Sequence, residues 1–171
     1  EDFSTEVYFA QKFRAENPDQ PIFVVKEAVA GNGIDLELTN GNWNATGGAR
    51  YNALVARLEF IKLELAAQGI TDYNQVILFN QGEADARYNE SALRYDDNLY
   101  DLISSLRAET FNGQLLIKPD TMWIQERIRP ELPDGTYSGY DGAAYVRQGI
   151  YTALARDTAD AVHAADIVIS A

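Results

Sequence analysis

Gln81-Gly82-Glu83-Ala84-Asp85 is the stretch of this sequence best equipped for chemistry. It follows Val76-Ile77-Leu78-Phe79, a short apolar run that predicts a strand covered on both faces. A strand running into Gln81-Gly82-Glu83 sets an amide, a permissive backbone point and a carboxylate at one edge of a sheet. Gly82 allows a positive φ or close approach of the backbone to a ligand. The Gln81 amide is a donor suited to a developing oxyanion, which pre-aimed dipoles stabilise. The competing reading is that Gln81 and Glu83 cap the next helix and tie the loop. Glu83 and Asp85 could hold a hard cation, but two carboxylates fall well short of the ~6–8 oxygens that calcium takes. No metal site and no cofactor are expected.

Three segments compete for the same edge of the sheet, because ligands of open α/β sheets bind outside the carboxyl ends of the strands. They are Ala30-Gly31-Asn32-Gly33, the segment from Asn80 to Asp85, and Lys118-Pro119-Asp120. The Gly31 turn is a poor phosphate cradle, since its glycine spacing is wrong and no lysine adjoins it. Trp43, in a Gly- and Asn-rich loop, is either a sugar-stacking platform or a plug over the core. Trp123, beside Met122, either walls the pocket or packs.

The sequence excludes several alternatives. With 171 residues it has the length of one domain. A net charge of −12 opposes binding to a phosphate backbone, so nucleic acid is not an expected partner. No run approaches the ~20 apolar residues needed to cross a bilayer. With no cysteine, thiolate chemistry and disulfides are ruled out; with His163 as the single histidine, so are multi-histidine sites.

The elements that position these residues are read from hydrophobic spacing. Val7 to Phe13 predicts a helix ending before Asn17-Pro18, and Ile22-Phe23-Val24-Val25 a buried strand. Tyr51, Leu54, Val55, Leu58, Ile61 and Leu65 mark a helix closed by Gly69. One helical stripe carries Ala92, Tyr95, Leu99, Leu102, Ile103 and Leu106. Leu115-Leu116-Ile117 predicts a strand stopped by Lys118-Pro119, and Asp120 to Gly139 reads as loop. Ala143 to Ala155 predicts a helix and Ile167-Val168-Ile169 a last strand. This alternation implies an α/β three-layer sandwich, a parallel sheet flanked by helices.

Val24-Val25-Lys26-Glu27-Ala28-Val29-Ala30-Gly31, Trp43 and Gln81-Gly82-Glu83-Ala84-Asp85-Ala86 together resemble the SGNH-hydrolase superfamily, in its branch of sialate O-acetylesterases and carbohydrate esterase family 6. The helix with Tyr95, Leu99, Leu102 and Arg107, and that with Tyr145-Val146-Arg147-Gln148, match elements of the same family. The resemblance implies a flavodoxin-like sheet and a serine esterase that removes acetyl groups from carbohydrate. It gives Gly31 and Gln81 oxyanion roles and makes Glu83 the accompanying carboxylate. Asn32, Trp43 and Asp85 are then expected to face the substrate. The family's Gly-x-Ser turn and its Asp-x-x-His following the last strand are not found. The chain is therefore expected to be a single domain, residues 1–171, lacking its first strand and C-terminal catalytic segment.

Internal substitutes are weak. Asp160-Ala161-Val162-His163 precedes the last strand and so belongs at the opposite edge of the sheet. Asp134-Gly135-Thr136-Tyr137 offers a tyrosine, a poor base at neutral pH. Ser4 reads as an N-cap, and Ser138 has no adjacent base. The competing functional reading is a non-catalytic structural or carbohydrate-binding module of a surface or virion assembly. An extracellular or surface-associated setting and an oligomer or larger assembly fit either reading.

Overall fold

The computed structural model describes residues 5–37, 43–125 and 142–157. Ser4, Asp134, Tyr137, Ser138, Asp160, His163 and the strand expected at Ile167-Val168-Ile169 lie outside the described residues. The architecture is mixed α/β, a parallel pair of strands flanked by helices.

Helix α1 spans Thr5–Glu16 and α2 Ala49–Ala67. Gly69 ends α2 in the left-handed region at φ 72°. Its N–H donates to the Ala66 carbonyl (3.0 Å) and the Ile70 N–H to the Leu65 carbonyl (2.9 Å), the paired bonds of a Schellman stop. Strand β1, Val76–Phe79, leads into the short helices α3 (Glu83–Ala86) and α4 (Asn89–Leu93), then α5 (Tyr95–Ala108). Strands β2 (Thr110–Phe111) and β3 (Gln114–Leu115) form a hairpin. Strand β4, Met122–Gln125, runs parallel to β1 with Val76 opposite Met122 and Phe79 opposite Gln125. Helix α6 is Ala143–Arg156.

The core forms where these elements meet. Helix α5 turns Tyr95, Leu99, Leu102, Ile103 and Leu106 inward, and α6 answers with Ala143, Val146, Ile150 and Ala153. Asp96 and Asp97 sit in the first turn of α5, where the helix dipole favours negative charge. Glycine lets α6 approach closely: a Cβ on Gly142 would lie 2.5 Å from Ala92 Cβ, and one on Gly149 would lie 3.0 Å from the Asp96 nitrogen. At the far end, Arg107 grips Asp157 through Nε (3.0 Å) and Nη2 (2.8 Å), joining the ends of α5 and α6.

Four sequence expectations are corrected. Residues 22–25 form no strand: no backbone ladder reaches them among the described residues, and Phe23 and Val24 are exposed. The parallel partner of β1 is Met122–Gln125, within the stretch read as loop, and not Leu115–Ile117. Leu116 and Ile117 are buried beyond the hairpin, whose turn is Asn112-Gly113 with φ 52° and 75°. The stripe from Ala92 to Leu106 is split by a turn at Arg94, so Ala92 belongs to α4 and the rest to α5.

Candidate functional site

Beyond the carboxyl end of β1, Gly82 reverses the chain at φ 140° and ψ −14° and starts α3. This buries Gln81 and Asp85 and leaves Glu83 exposed between them. The Gln81 amide nitrogen donates to the Asn32 carbonyl (2.6 Å) and to Asp85 Oδ2 (3.0 Å), so both its hydrogens are spent within the protein. The Gln81 carbonyl accepts from the Tyr95 hydroxyl (2.8 Å) and from Gln125 Nε2 (3.1 Å). One residue thereby ties the 31–37 loop, α3, α5 and β4 together.

Asp85 anchors the other side of that loop. Its fully buried carboxylate accepts the Ile34 N–H at 3.1 Å on each oxygen and the Asp35 N–H at 3.1 Å. Burial pushes the Asp85 pKa up; Gln81 and the two backbone donors oppose this, and the result stays above the ordinary value. Asp35 is also pushed up by burial, but the Glu37 N–H and the Arg94 guanidinium outweigh that and hold it below its ordinary value. Arg94 reaches Asp35 Oδ2 through Nε (3.0 Å) and Nη2 (2.7 Å).

The loop itself is wound tightly. Gly31 takes φ 76°, and Asn32 Nδ2 donates back to the carbonyls of Val29 and Ala30, each at 3.1 Å. The Trp43 N–H donates to the Gly33 carbonyl (2.8 Å). Its ring meets Phe79 edge-on at 5.5 Å, and Phe79 leans on Trp123 at 5.2 Å. Both tryptophans are 6% exposed and pack in the core, and Trp43 also borders the site.

Between the two motif segments lies a hollow of about 330 Å³, lined by residues 27–32, Trp43, Asn80, Gln81, Glu83, Ala84 and Arg87. That volume lies at the low end of small-molecule sites. On its wall, Glu27 takes Arg50 Nη1 (2.8 Å) and Arg57 Nε (2.7 Å). Burial raises the Glu27 pKa, but the two guanidinium groups outweigh it and leave the group below its ordinary value. Among the described residues no group of three or more His, Cys, Asp or Glu is placed to hold a metal ion.

A family model described as "Carbohydrate esterase, sialic acid-specific acetylesterase" matches residues 1–127. The chain belongs to this family. No curated protein matches the chain, and no solved structure does. Among the described residues of this carbohydrate esterase-like domain, no helix is long and apolar enough to cross a membrane.

Gly31, Asn32, Trp43, Gln81 and Glu83 thus come together at one hollow. Asp85, expected to face substrate, does not: its side chain is fully buried and its oxygens are engaged by the loop. Sequence reasoning missed Tyr95, Gln125, Glu27 and Arg94 as parts of the site's frame. Tyr95 sits in an apolar helical stripe, where nothing in the spacing distinguishes its hydroxyl from a packing group. Glu27 did carry a signal, being a carboxylate within an otherwise apolar stretch.

Proposed function

We propose that this hollow is the acyl-binding end of a serine acetylesterase site that removes acetyl groups from an acetylated carbohydrate. The observation that carries the reading is the bond from Gln81 Nε2 to the Asn32 carbonyl. It holds segments 49 residues apart against each other at the carboxyl end of β1.

In this reading a serine hydroxyl attacks the acetyl carbonyl and gives its proton to a histidine oriented by an aspartate. The sugar oxygen leaves with that proton, and water then cleaves the acyl-enzyme to acetate and free serine. The Gly31 N–H donates to the oxyanion, and Gln81 positions the loop that carries it. Glu83 and Trp43 border the part of the hollow that takes the sugar. No serine among the described residues lines the hollow, and the family's Gly-x-Ser turn and its Asp-x-x-His following the last strand are not found in this sequence, so the reading takes the serine, aspartate and histidine from segments of a longer polypeptide.

The full polypeptide that contains this sequence is treated with a serine-directed fluorophosphonate and, separately, with an O-acetylated sialoside while acetate is followed. Labelling together with acetate release is expected. Gln81→Ala should lower turnover about 10²-fold, since loosening a positioned donor by roughly an ångström costs that much. Absence of both labelling and acetate release would overturn the esterase reading in favour of a carbohydrate-binding or structural module. Sugar binding without turnover would then appear as a change in tryptophan emission.

A further inference from the structure

Helix α2 carries apolar side chains on two opposite sides. Tyr51, Leu58 and Leu65, spaced by sevens, are its buried residues. Ala56, Phe60, Leu63 and Ala67 recur at steps of four, three and four, and all are exposed, Phe60 at 62% and Leu63 at 51%. Those steps are the a/d seam of a helix–helix contact. Over the same stretch Arg57 and Lys62 balance Glu59 and Glu64, on a chain whose net charge is −12. The seam is therefore locally neutral on an acidic molecule, so two copies can approach there without the repulsion that the net charge would otherwise impose.

We propose that α2 pairs antiparallel with α2 of a second copy of this chain. Phe60 packs against Leu63 of the second copy, and Ala56 against its Ala67. In that register Arg57 and Glu64 flank one side of the seam, and each meets the opposite charge across it. Two-fold symmetry forms both ion pairs at once. A parallel pairing instead sets Glu59 against Glu64 twice, so the charges select the antiparallel arrangement. Arg57 is braced for this, because its Nε bonds Glu27 at 2.7 Å while its side chain stays 56% exposed. The seam is about 17 Å long, short for a permanent dimer, and a micromolar association is expected.

Sedimentation equilibrium of the purified protein between about 1 and 200 µM measures this. The mass of two copies is expected at the upper concentrations. Phe60→Lys should give a single-copy mass throughout. Glu64→Arg, at an exposed position that leaves folding intact, should raise the dissociation constant on the order of tenfold. Combining it with Arg57→Gln, which removes the new like-charge contact and keeps an amide donor beside Glu27, should bring that constant part of the way back towards the parent value. A single-copy mass at every concentration overturns the proposal. So does a dimer indifferent to Phe60→Lys, since another face must then hold it. Shielding of Phe60→Cys from a thiol reagent in a monomer would show that another segment or partner covers the seam, and overturns it equally.

Discussion

Replacing Asp85 with alanine tests whether a buried carboxylate, and not apolar packing alone, builds the site. The side chain takes hydrogen bonds from the Ile34 and Asp35 N–H groups and the Gln81 amide at 3.0–3.1 Å. Alanine leaves those three donors around a void, and each costs about 1–3 kcal/mol if it stays dry. Two effects reduce the total. Removing a carboxylate that burial already disfavours returns part of its desolvation cost. The 31–37 loop can also open and give its N–H groups to water, which caps the loss at the free energy of local opening. The net expectation is a loss of about 2–4 kcal/mol. Urea denaturation measures it. Hydrogen exchange at Ile34 and Asp35, and emission from Trp43, report release of the loop. A variant within ~0.5 kcal/mol of the parent, with the Ile34 amide still protected, would refute the reasoning.

The remaining predictions concern pH, packing and an ion pair. Because the folded Asp85 pKa lies above its ordinary value, its contribution to stability is full below about pH 4 and is lost as pH rises through the folded value. The stability deficit of Asp85→Asn, which does not titrate, should therefore shrink between acid and neutral pH; a deficit growing with pH would contradict the direction of the shift. Gly142→Ala should cost about 1–3 kcal/mol in thermal or urea unfolding, because its Cβ would meet Ala92 Cβ at 2.5 Å and the Ala86 carbonyl at 2.8 Å. Arg107→Lys keeps the charge but loses the two-nitrogen grip on Asp157, and a loss of about 1–2 kcal/mol should follow. Equal stability of that variant would show that charge alone suffices there.

Helices α2, α5 and α6 were legible because each repeats its apolar residues at a helical period over three or more turns. Strand β1 was legible as a short apolar run before Gly82. The same rule failed at Ile22–Val25. A strand exists only where a neighbour completes its backbone ladder, and side-chain type does not reveal whether one is present. It fails in the other direction at Met122–Gln125, a four-residue strand set between Pro119 and Pro130 in a proline-marked stretch. The β2–β3 hairpin was readable in principle, since Asn112-Gly113 is the strongest short hairpin signal. Leu115-Leu116-Ile117 has the pattern of a buried strand, yet Leu116 and Ile117 are buried without being in one.

At the site, the sequence shows which groups exist but not which way they point. Gln81 and Asp85 are four residues apart, and the turn at Gly82 brings both to one inner face, where they bond each other and the 31–35 backbone. Glu83, two residues from each, is left on the outer face towards the hollow. The Gln-Gly-Glu-x-Asp stretch is therefore a latch and a presenting group interleaved. Its latch half ties down the turn that carries Gly31 and Asn32, and Glu83 is the member whose side chain stays exposed at the hollow. Most of the residue types in this stretch thus serve the geometry of the site. The amide that looks most suited to an oxyanion is the one the fold has already used to hold the Gly31 turn in place.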